Sequence, residues 1–342
     1  MTLSFIEFLP EHTETCLAIF DSNLGKYFAP NEREDYSDWL AKMPIEGSPY
    51  FVVLHDNSVV GAGGVALDEG KACLTWGMVH RDRHGQGIGK YLTQKRLNVI
   101  SELYPNTATH IDTSQHTEGF YESQGFRTRL YQPSGFGPGI DKVEMVRPAN
   151  GPAHKEQTPT FDTSITLEGN RLRIVPLQDS DFEALYSVAS DPKVWELHPA
   201  NDRYQEHVFR EFFSGGIKSG MAYRVELKND DSDSKPKVIG SSRYNAPDYA
   251  NSSVEIGWTF LGCDFWGGQY NKELKDLMLY FAFKTFKTVT FCIGANNHRS
   301  IGAVKKLGAR HNPSMVDPNR QGSVLYELTQ ETYVGLENYG NN

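Results

Sequence analysis

Three glycines alternate with other residues in the stretch His84-Gly85-Gln86-Gly87-Ile88-Gly89. The residues before it, 72–79, have the composition of a strand, and those from 90 to 103 have the spacing of a helix. Glycine allows positive φ and lets a ligand approach the backbone closely. A helix that begins here offers free N–H groups and the positive end of its dipole. The stretch therefore predicts a site for an anion such as a pyrophosphate.

Two common phosphate-binding motifs do not fit this turn. In a dinucleotide-binding unit the glycine turn follows the first strand, whereas here several strands precede it. A P-loop requires Gly-Lys-Ser/Thr, and this chain has Gly89-Lys90-Tyr91. The late position of the turn indicates another class of fold.

The elements that position this turn follow from hydrophobic spacing and from turn residues. In the first half we expect strands over residues 5–10, 50–54, 59–65, 72–79, 108–112 and 142–146, and helices over 11–22, 31–43, 90–103 and 117–124. Gly125 ends the last of these helices, because glycine is common just after a helix.

The same order of elements begins again after a polar, Pro-containing stretch at residues 147–170. In the second half we expect strands over 171–177, 222–227, 238–244, 254–260, 289–293 and 323–328, and helices over 180–189, 202–213, from 270 onward and over 298–307. A polar hairpin loop is predicted at 228–237. A second glycine turn, Trp266-Gly267-Gly268-Gln269-Tyr270-Asn271, precedes the third helix. Gly87 lies 38 residues before Gly125 and Gly268 lies 40 before Gly308, which indicates a duplicated domain.

Composition narrows the class of protein further. The 342 residues are enough for two domains, and 39% of them are hydrophobic, enough for packed cores. A net charge of −9 without a basic stripe argues against a nucleic-acid partner. We expect no membrane span and no signal peptide. The four cysteines predict buried free thiols in a reducing, cytoplasmic compartment. No metal site is expected, since His110 and His116 lack metal-ligand spacing.

The order of elements in the first half resembles that of the GNAT acetyltransferase superfamily. The pyrophosphate loop of that family reads Arg/Gln-x-x-Gly-x-Gly/Ala, and residues 84–89 match it except at His84, where the family has Arg or Gln. The run Phe120-Tyr121-Glu122-Ser123-Gln124-Gly125-Phe126 is similar to the family's Tyr-x-x-x-Gly-Phe segment. The resemblance implies an α/β fold with a mixed sheet and acetyl-CoA as co-substrate.

The second half resembles the branch that includes ribosomal-protein N-terminal acetyltransferases. The residues that carry this resemblance are Arg171-Leu172-Arg173-Ile174-Val175-Pro176-Leu177, Glu255-Ile256-Gly257-Trp258 and Asn297-His298-Arg299-Ser300. Its glycine turn departs from the family's Trp-Gly-x-Gly-Tyr-Ala, because Gln269 and Asn271 stand at the usual glycine and alanine positions. This departure puts acyl-CoA binding by the second half in doubt.

We therefore expect two tandem GNAT-like domains, residues 1–147 and 165–342, joined by a linker at 148–164. The resemblance implies direct transfer of an acetyl group from acetyl-CoA to the amine of a small molecule or peptide. The expected state is a monomer or a homodimer. The residues implied in cofactor binding are Met78, Val79, His84, Gly85, Gln86, Gly87, Ile88, Gly89 and Lys90 in the first half, and Trp266, Gly267, Gly268, Gln269, Asn271 and Asn297 in the second.

The chemistry requires a base for the amine, donors for the oxyanion and an acid for the thiolate. Tyr121 is the candidate acid of the first half, and the alternative is a tyrosine packed in the core. Glu255 is the candidate base and Ser300 the candidate acid of the second half. Glu69 is a weaker candidate base, and Asn297 could instead cap a helix.

Three readings of the activity stay open. The first half is expected to be the active one, because its loop keeps nearly the full pattern. Alternatively, one or both halves bind CoA or a partner without turnover, or the second half is the active domain.

Overall fold

A computed structural model of the protein describes residues 3–46, 48–149, 161–228, 235–313, 320 and 322–333, with backbone only at 43–46. The chain forms two compact units, Met1–Glu156 and Gln157–Asn342, here called the first and second unit. Residues 150–160 of the predicted linker and 229–234 of the predicted polar loop lie outside the described residues.

The first unit is a mixed sheet with helices on both faces. Its elements are β1 (Leu3–Glu7), α1 (Thr13–Asp21), α2 (Glu32–Glu46), β2 (Tyr50–His55), β3 (Ser58–Asp68), β4 (Lys71–Val79), α3 (Ile88–Leu103), β5 (Thr109–Thr113), α4 (Glu118–Ser123), β6 (Arg127–Gly137) and β7 (Ile140–Arg147). The strand order is β1-β2-β3-β4-β5-β7-β6. Only β4 and β5 run parallel within this unit, as the residues between them form the α3 crossover.

Neighbouring residues of β2 show how the two faces are covered. Val52 packs in a cluster with Phe20 and Tyr36 from α1 and α2. Val53 packs instead with residues of α3, including Ile88 and Leu92. Successive side chains of a strand point to opposite faces, so α1 and α2 cover one face of the sheet and α3 covers the other.

The second unit repeats this plan. Its elements are β8 (Thr166–Glu168), β9 (Leu172–Pro176), α5 (Phe182–Ala189), α6 (Glu206–Ser219), β10 (Ala222–Leu227), β11 (Val238–Asp248), β12 (Ser253–Leu261), α7 (Gln269–Phe283), β13 (Thr288–Gly294), α8 (His298–Lys306), β14 (Arg310–His311) and β15 (Ser323–Thr329). The strand order is β8-β9-β10-β11-β12-β13-β15-β14. Its parallel pair is β12 and β13, the counterpart of β4 and β5.

Three strands were not predicted: β6, β8 and β14. The sequence of β6 contains Pro133 and Gly135, which normally argue against a strand. The pairing of β6 with β7 shifts register at two places, and Ser134 there has a positive φ of 53°. Irregular pairing of this kind tolerates both residue types. In the second half, the predicted helix at 202–213 is displaced to Glu206–Ser219.

None of the four cysteines forms a disulfide, as expected, but only Cys16 is buried, and the other three are partly exposed. Within the described residues, no helix combines the length and the apolar character needed to cross a membrane. Those residues also contain no cluster of three or more His, Cys, Asp or Glu side chains placed to hold a metal ion.

Candidate active site

A cleft of about 1310 Å³ opens in the first unit where β4 and β5 diverge. The two strands, both described in full, pair only at Ala72 with Thr109 and at Cys73 with His110. Beyond Cys73 they separate, so the peptide groups on that edge of β4 are open to a ligand. The cleft extends from this opening to the glycine loop at residues 84–89, here called the first glycine loop.

The backbone of Val79 is turned toward this cleft. His80 donates its N–H to the carbonyl of Val60 at 2.8 Å, which makes residues 60 and 80 a hydrogen-bonded pair of the antiparallel ladder. Such pairs alternate, so the N–H of Val79 points away from β3 and that of Met78 points toward β3. Of the two residues of β4 implied in cofactor binding, Val79 is therefore the one whose N–H faces the opening, and Met78 contributes its buried side chain to the cleft wall.

His84 ties the first glycine loop to the end of β4. Its Nε2 lies 2.9 Å from the carbonyl oxygen of Val79, which also accepts from Asn23 at 2.9 Å. A carbonyl oxygen only accepts, so Nε2 of His84 must carry the proton. The imidazole, which replaces the family's Arg or Gln, thus positions the loop through a side-chain hydrogen bond to the strand.

The first glycine loop is shaped for an anion. Gly85 and Gly87 have φ values of 77° and 80°, and a Cβ at either would meet no other atom within 4 Å. Gly87 is the N-cap of α3, whose first turn contains no acidic residue. The N–H groups of residues 88–90 therefore lack helical acceptors and face outward at the positive end of the helix dipole. The side chains of Arg83 and Lys90 line the same end of the cleft.

Two of the predicted loop residues contribute no side chain to the cleft. Gln86 folds back, and its amide donates to the carbonyl of Asp82 at 3.3 Å. Ile88 is buried in the cluster under α3. Any role of these two residues in holding a ligand would fall to their peptide groups.

A bulge in β4 shapes the other end of the cleft. The pairing of β3 with β4 shifts register between Ala62 and Gly64, and Trp76 there has a φ of 41°, which is rare for a bulky residue. The indole packs among aromatic rings of α1, α2 and the segment between them. Its ring centroid lies 5.0 Å from that of Tyr36 and 6.4 Å from that of Phe28. This end of the cleft is therefore walled by aromatic side chains.

A buried cation lies beneath β4. Arg96 of α3 is only 1% exposed, and its Nη1 is 3.4 Å from the carbonyl oxygen of Thr75. Its guanidinium occupies the space left by Gly63 and Gly77, since a Cβ on Gly77 would lie 2.6 Å from both terminal nitrogens. The positive charge therefore sits under the part of β4 that borders the cleft.

Tyr121 lines the cleft from α4. It is 6% exposed, and its ring contacts Phe120 and Phe126 edge-on. Its hydroxyl makes no hydrogen bond with any described residue. The phenol proton is thus not committed to the protein and is available to a ligand in the cleft.

His110 is a candidate base that sequence reasoning weighed only as a metal ligand. It faces Cys73 at the last paired position of β4 and β5, and it lines the cleft. Burial, with a smaller contribution from Lys71, lowers its pKa below the ordinary 6.5. The imidazole is therefore neutral at neutral pH and can accept a proton. Glu69 also borders the cleft, but it lies in the tight β3–β4 turn with an 82% exposed side chain.

The second unit reproduces the frame of this site. Strands β4 and β12 each have nine residues, and a tryptophan with positive φ is the sixth in both, Trp76 and Trp258. The indole Nε1 of Trp266 donates to the carbonyl of Leu261, the last residue of β12, at 2.8 Å. Trp266 is therefore the structural counterpart of His84.

The second glycine turn is one residue shorter than the first. Two residues separate Trp266 from the start of α7, whereas three separate His84 from the start of α3. Gly267 keeps a positive φ of 69°, but Gly268 is extended. Gln269 is the first residue of α7, and Asn271 lies inside the helix. The set of peptide N–H groups available to a pyrophosphate differs accordingly.

The side chains of two predicted site residues of the second unit, Glu255 and Asn297, already have partners, whereas Ser300 bonds to the described residues through its backbone N–H and not through its hydroxyl. Glu255 is 6% exposed, and both its oxygens accept from Arg320, at 2.6 and 2.7 Å. Asn297 caps α8 by accepting the N–H of Ser300 at 3.1 Å. The carbonyl of Tyr121 accepts the N–H of Phe126, the residue after the glycine that ends α4. The carbonyl of Val304 accepts the N–H of Ala309 at the same place after α8, so Val304 occupies the position of Tyr121. The second unit thus has no phenol at this position. Conversely, the first unit has Cys73 as the third residue of β4, where the second has Glu255 as the third residue of β12.

Comparisons with known proteins identify the family of both units. Acetyltransferase (GNAT) domain models match residues 29–147 and residues 171–310, which together take in most of the chain. The chain therefore belongs to the GNAT acetyltransferases and carries two such domains in tandem. The fold class and the family expected from the sequence are both confirmed.

Solved structures with similar folds each match about half of the chain. The GNAT-family acetyltransferase from Bacillus anthracis is 18% identical, with a TM-score of 0.40, and covers 49% of this chain and 99% of its own. A GCN5-related N-acetyltransferase from Brucella melitensis is 18% identical, with a TM-score of 0.43 and coverages of 53% and 84%. A ribosomal-protein-alanine N-acetyltransferase from the same organism is 18% identical, with a TM-score of 0.37 and coverages of 42% and 99%.

Proposed function

We propose that the first unit transfers an acetyl group from acetyl-CoA to an amine. The observation that carries this proposal is the continuity of one cleft, from the first glycine loop past the N–H of Val79 to Tyr121 and His110. Anion binding, oxyanion stabilisation, acid and base are thereby provided along one path within the first unit.

The loop fits the pyrophosphate of acetyl-CoA. Gly85 and Gly87 leave the loop backbone open, and the first N–H groups of α3 lack acceptors. Arg83 and Lys90 add positive charge beside them. Bound here, acetyl-CoA would supply a thioester as the acetyl donor.

Three groups of the chain then serve the transfer. The N–H of Val79 donates to the oxygen that becomes negative in the transition state. His110, neutral at neutral pH, takes the proton that the amine must lose. Tyr121 gives its phenol proton to the departing sulfur, since no described residue competes for it.

The second unit is a candidate for a binding module without turnover. Val304 stands where the first unit has its phenol, and the turn before α7 is one residue shorter. Glu255 is engaged by Arg320 on both oxygens. These differences favour a catalytic first unit and a second unit with another task.

Calorimetry of the full chain with acetyl-CoA tests the donor site. Gly87→Trp is expected to weaken binding at least tenfold, because its side chain fills the loop and its φ of 80° strains any residue but glycine. Gly139→Trp is the matched control, with the same strain at φ 75° in a turn outside the cleft. Undiminished binding by Gly87→Trp, or loss on Gly268→Trp instead, would contradict the proposal.

A further inference from the structure

Two neighbouring arginines of the second unit, the buried Arg243 and the partly buried Arg203, have no carboxylate partner among the described residues. The guanidinium carbons of Arg203 and Arg243 lie 4.7 and 5.7 Å from the ring centroid of Phe212. Among the described residues, no carboxylate oxygen comes within 4.0 Å of either group. Arg243 is 8% exposed, and its Nε has no hydrogen-bond partner. Two positive charges thus lie against one aromatic ring, one buried and one partly buried, with no described carboxylate in contact with either.

This environment lowers the pKa of both guanidinium groups. Burial lowers the pKa of Arg243, and burial together with the charge of Arg243 lowers that of Arg203 to about 10. Asp202, next in the chain to Arg203, offsets only part of this effect. Three other arginines of this unit do have an ionic partner. A carboxylate oxygen lies within 3.4 Å of a guanidinium nitrogen in Arg173, Arg224 and Arg320.

A neighbouring histidine adds a third donor without an acceptor. Nδ1 of His198 accepts the N–H of Ala200 at 2.9 Å, so the proton of the neutral ring is on Nε2. Burial, followed by the charge of Arg203, lowers the pKa of His198 to about 4, which keeps the ring neutral. Yet Nε2 lies 3.1 Å from Nη1 of Arg203, itself a donor. Two N–H groups that meet in this way can share one acceptor supplied by a ligand.

This arrangement is specific to the second unit. Arg243 pairs across β11 and β12 with Gly257, the residue before Trp258, and its guanidinium lies 5.0 Å from that indole. The corresponding pair of the first unit is Gly64 with Thr75, before Trp76. The first unit therefore has glycine at the position of Arg243, and the buried arginine at its own bulge, Arg96, comes from α3 instead.

We propose that the second unit contains a binding site for an oxyanion, the carboxylate or phosphate group of a small ligand, formed by Arg203, Arg243 and His198. The site lies beside Trp258, on the side of β12 where the first unit has its aromatic wall. The ligand neutralises both guanidinium groups and accepts from the imidazole N–H. The inference does not depend on catalysis by the first unit.

Titration calorimetry of the full chain with sodium succinate and with inorganic phosphate tests this site, at constant ionic strength set with NaCl. Phosphate also suits the first glycine loop, so those titrations use the Gly87→Trp background. We expect saturable binding of at least one anion, weakened tenfold or more by Arg203→Met and by Arg243→Met. The control is Arg210→Met, which removes an exposed arginine of α6 paired with Glu206.

Thermal unfolding gives a second readout that a merely structural arginine would not show. Without added anion, Arg203→Met should keep or raise the melting temperature, because it removes one of two neighbouring positive charges that no described carboxylate compensates. Saturating anion should raise the melting temperature of the wild type but not of this variant. Binding of succinate alone would identify a carboxylate ligand, and binding of phosphate alone a phosphate ligand. No saturable heat with either anion, or unchanged affinity in both arginine variants, would overturn the proposal.

Discussion

The replacement Tyr121→Phe separates catalysis from structure in the first unit. It removes only a hydroxyl group that makes no hydrogen bond with the described residues. The ring keeps its edge-on contacts with Phe120 and Phe126. Loss of a general acid typically lowers the rate about 10²-fold or more, and 10²-fold corresponds to ~2.7 kcal/mol of activation free energy. We expect a fall of this size in kcat, with the Kd for acetyl-CoA nearly unchanged.

The free energy of unfolding, unlike kcat, should hardly change in this variant. Since no protein hydrogen bond is lost, Tyr121→Phe should change it by no more than about 0.5 kcal/mol. Tyr131→Phe is the matched control: its buried hydroxyl donates to Asp141 at 2.6 Å, outside the cleft. Removing that donor should lower the free energy of unfolding by about 1–3 kcal/mol while kcat is retained.

Release of CoA thiol, monitored with a thiol reagent, reports kcat, and urea unfolding reports stability. The reasoning is refuted if Tyr121→Phe retains wild-type kcat under conditions where the chemical step limits turnover. It is also refuted if the variant loses activity only in proportion to its loss of folded protein.

Four further predictions concern the site of the first unit and, in the last case, a buried lysine of the second unit. His84→Phe removes the donor to Val79 and should raise the KM for acetyl-CoA about fivefold, as expected for ~1 kcal/mol, in steady-state kinetics. Gly77→Ala places a Cβ against the Arg96 guanidinium and should lower the free energy of unfolding by about 1–3 kcal/mol in urea. The kcat/KM should fall as pH drops through the pKa of His110, below 6.5, and His110→Asn should abolish that limb of the pH–rate profile. Burial lowers the pKa of Lys275 from 10.5 to about 7, so between those values the unfolded chain binds a proton that the folded chain does not. The free energy of unfolding should therefore rise with pH across that window in urea titrations, and Lys275→Met should flatten the rise.

The sequence revealed most of the elements because their signals are local. Runs of β-forming residues predicted β3 and β4, and glycine spacing predicted both turns and the duplication. Strand β6 was missed because Pro133 and Gly135 argue against a strand unless the partner strand is known to be irregular. The bulge at Trp76 was missed for a similar reason, since a positive φ at tryptophan is imposed by pairing and packing.

The site was less accessible from the sequence because it depends on register. The two glycine spacings, 38 and 40 residues, are nearly equal, although the turn of the second unit is one residue shorter. The count alone did not show this difference. The equivalence of Cys73 with Glu255, and of Tyr121 with Val304, follows only once strands and helix ends are aligned in space. The tie from His84 to Val79 joins a side chain to a backbone carbonyl, for which no sequence pattern exists.

Acetyl transfer by the first unit is tested most directly by the rate of CoA thiol release with acetyl-CoA and a panel of amines. Three full-length proteins are compared: the wild type, Gly87→Trp and Gly268→Trp. The arrangement of the two units predicts that an amine supporting turnover by the wild type also supports it in Gly268→Trp, and that Gly87→Trp is inactive. Activity that survives Gly87→Trp and is lost in Gly268→Trp would contradict it.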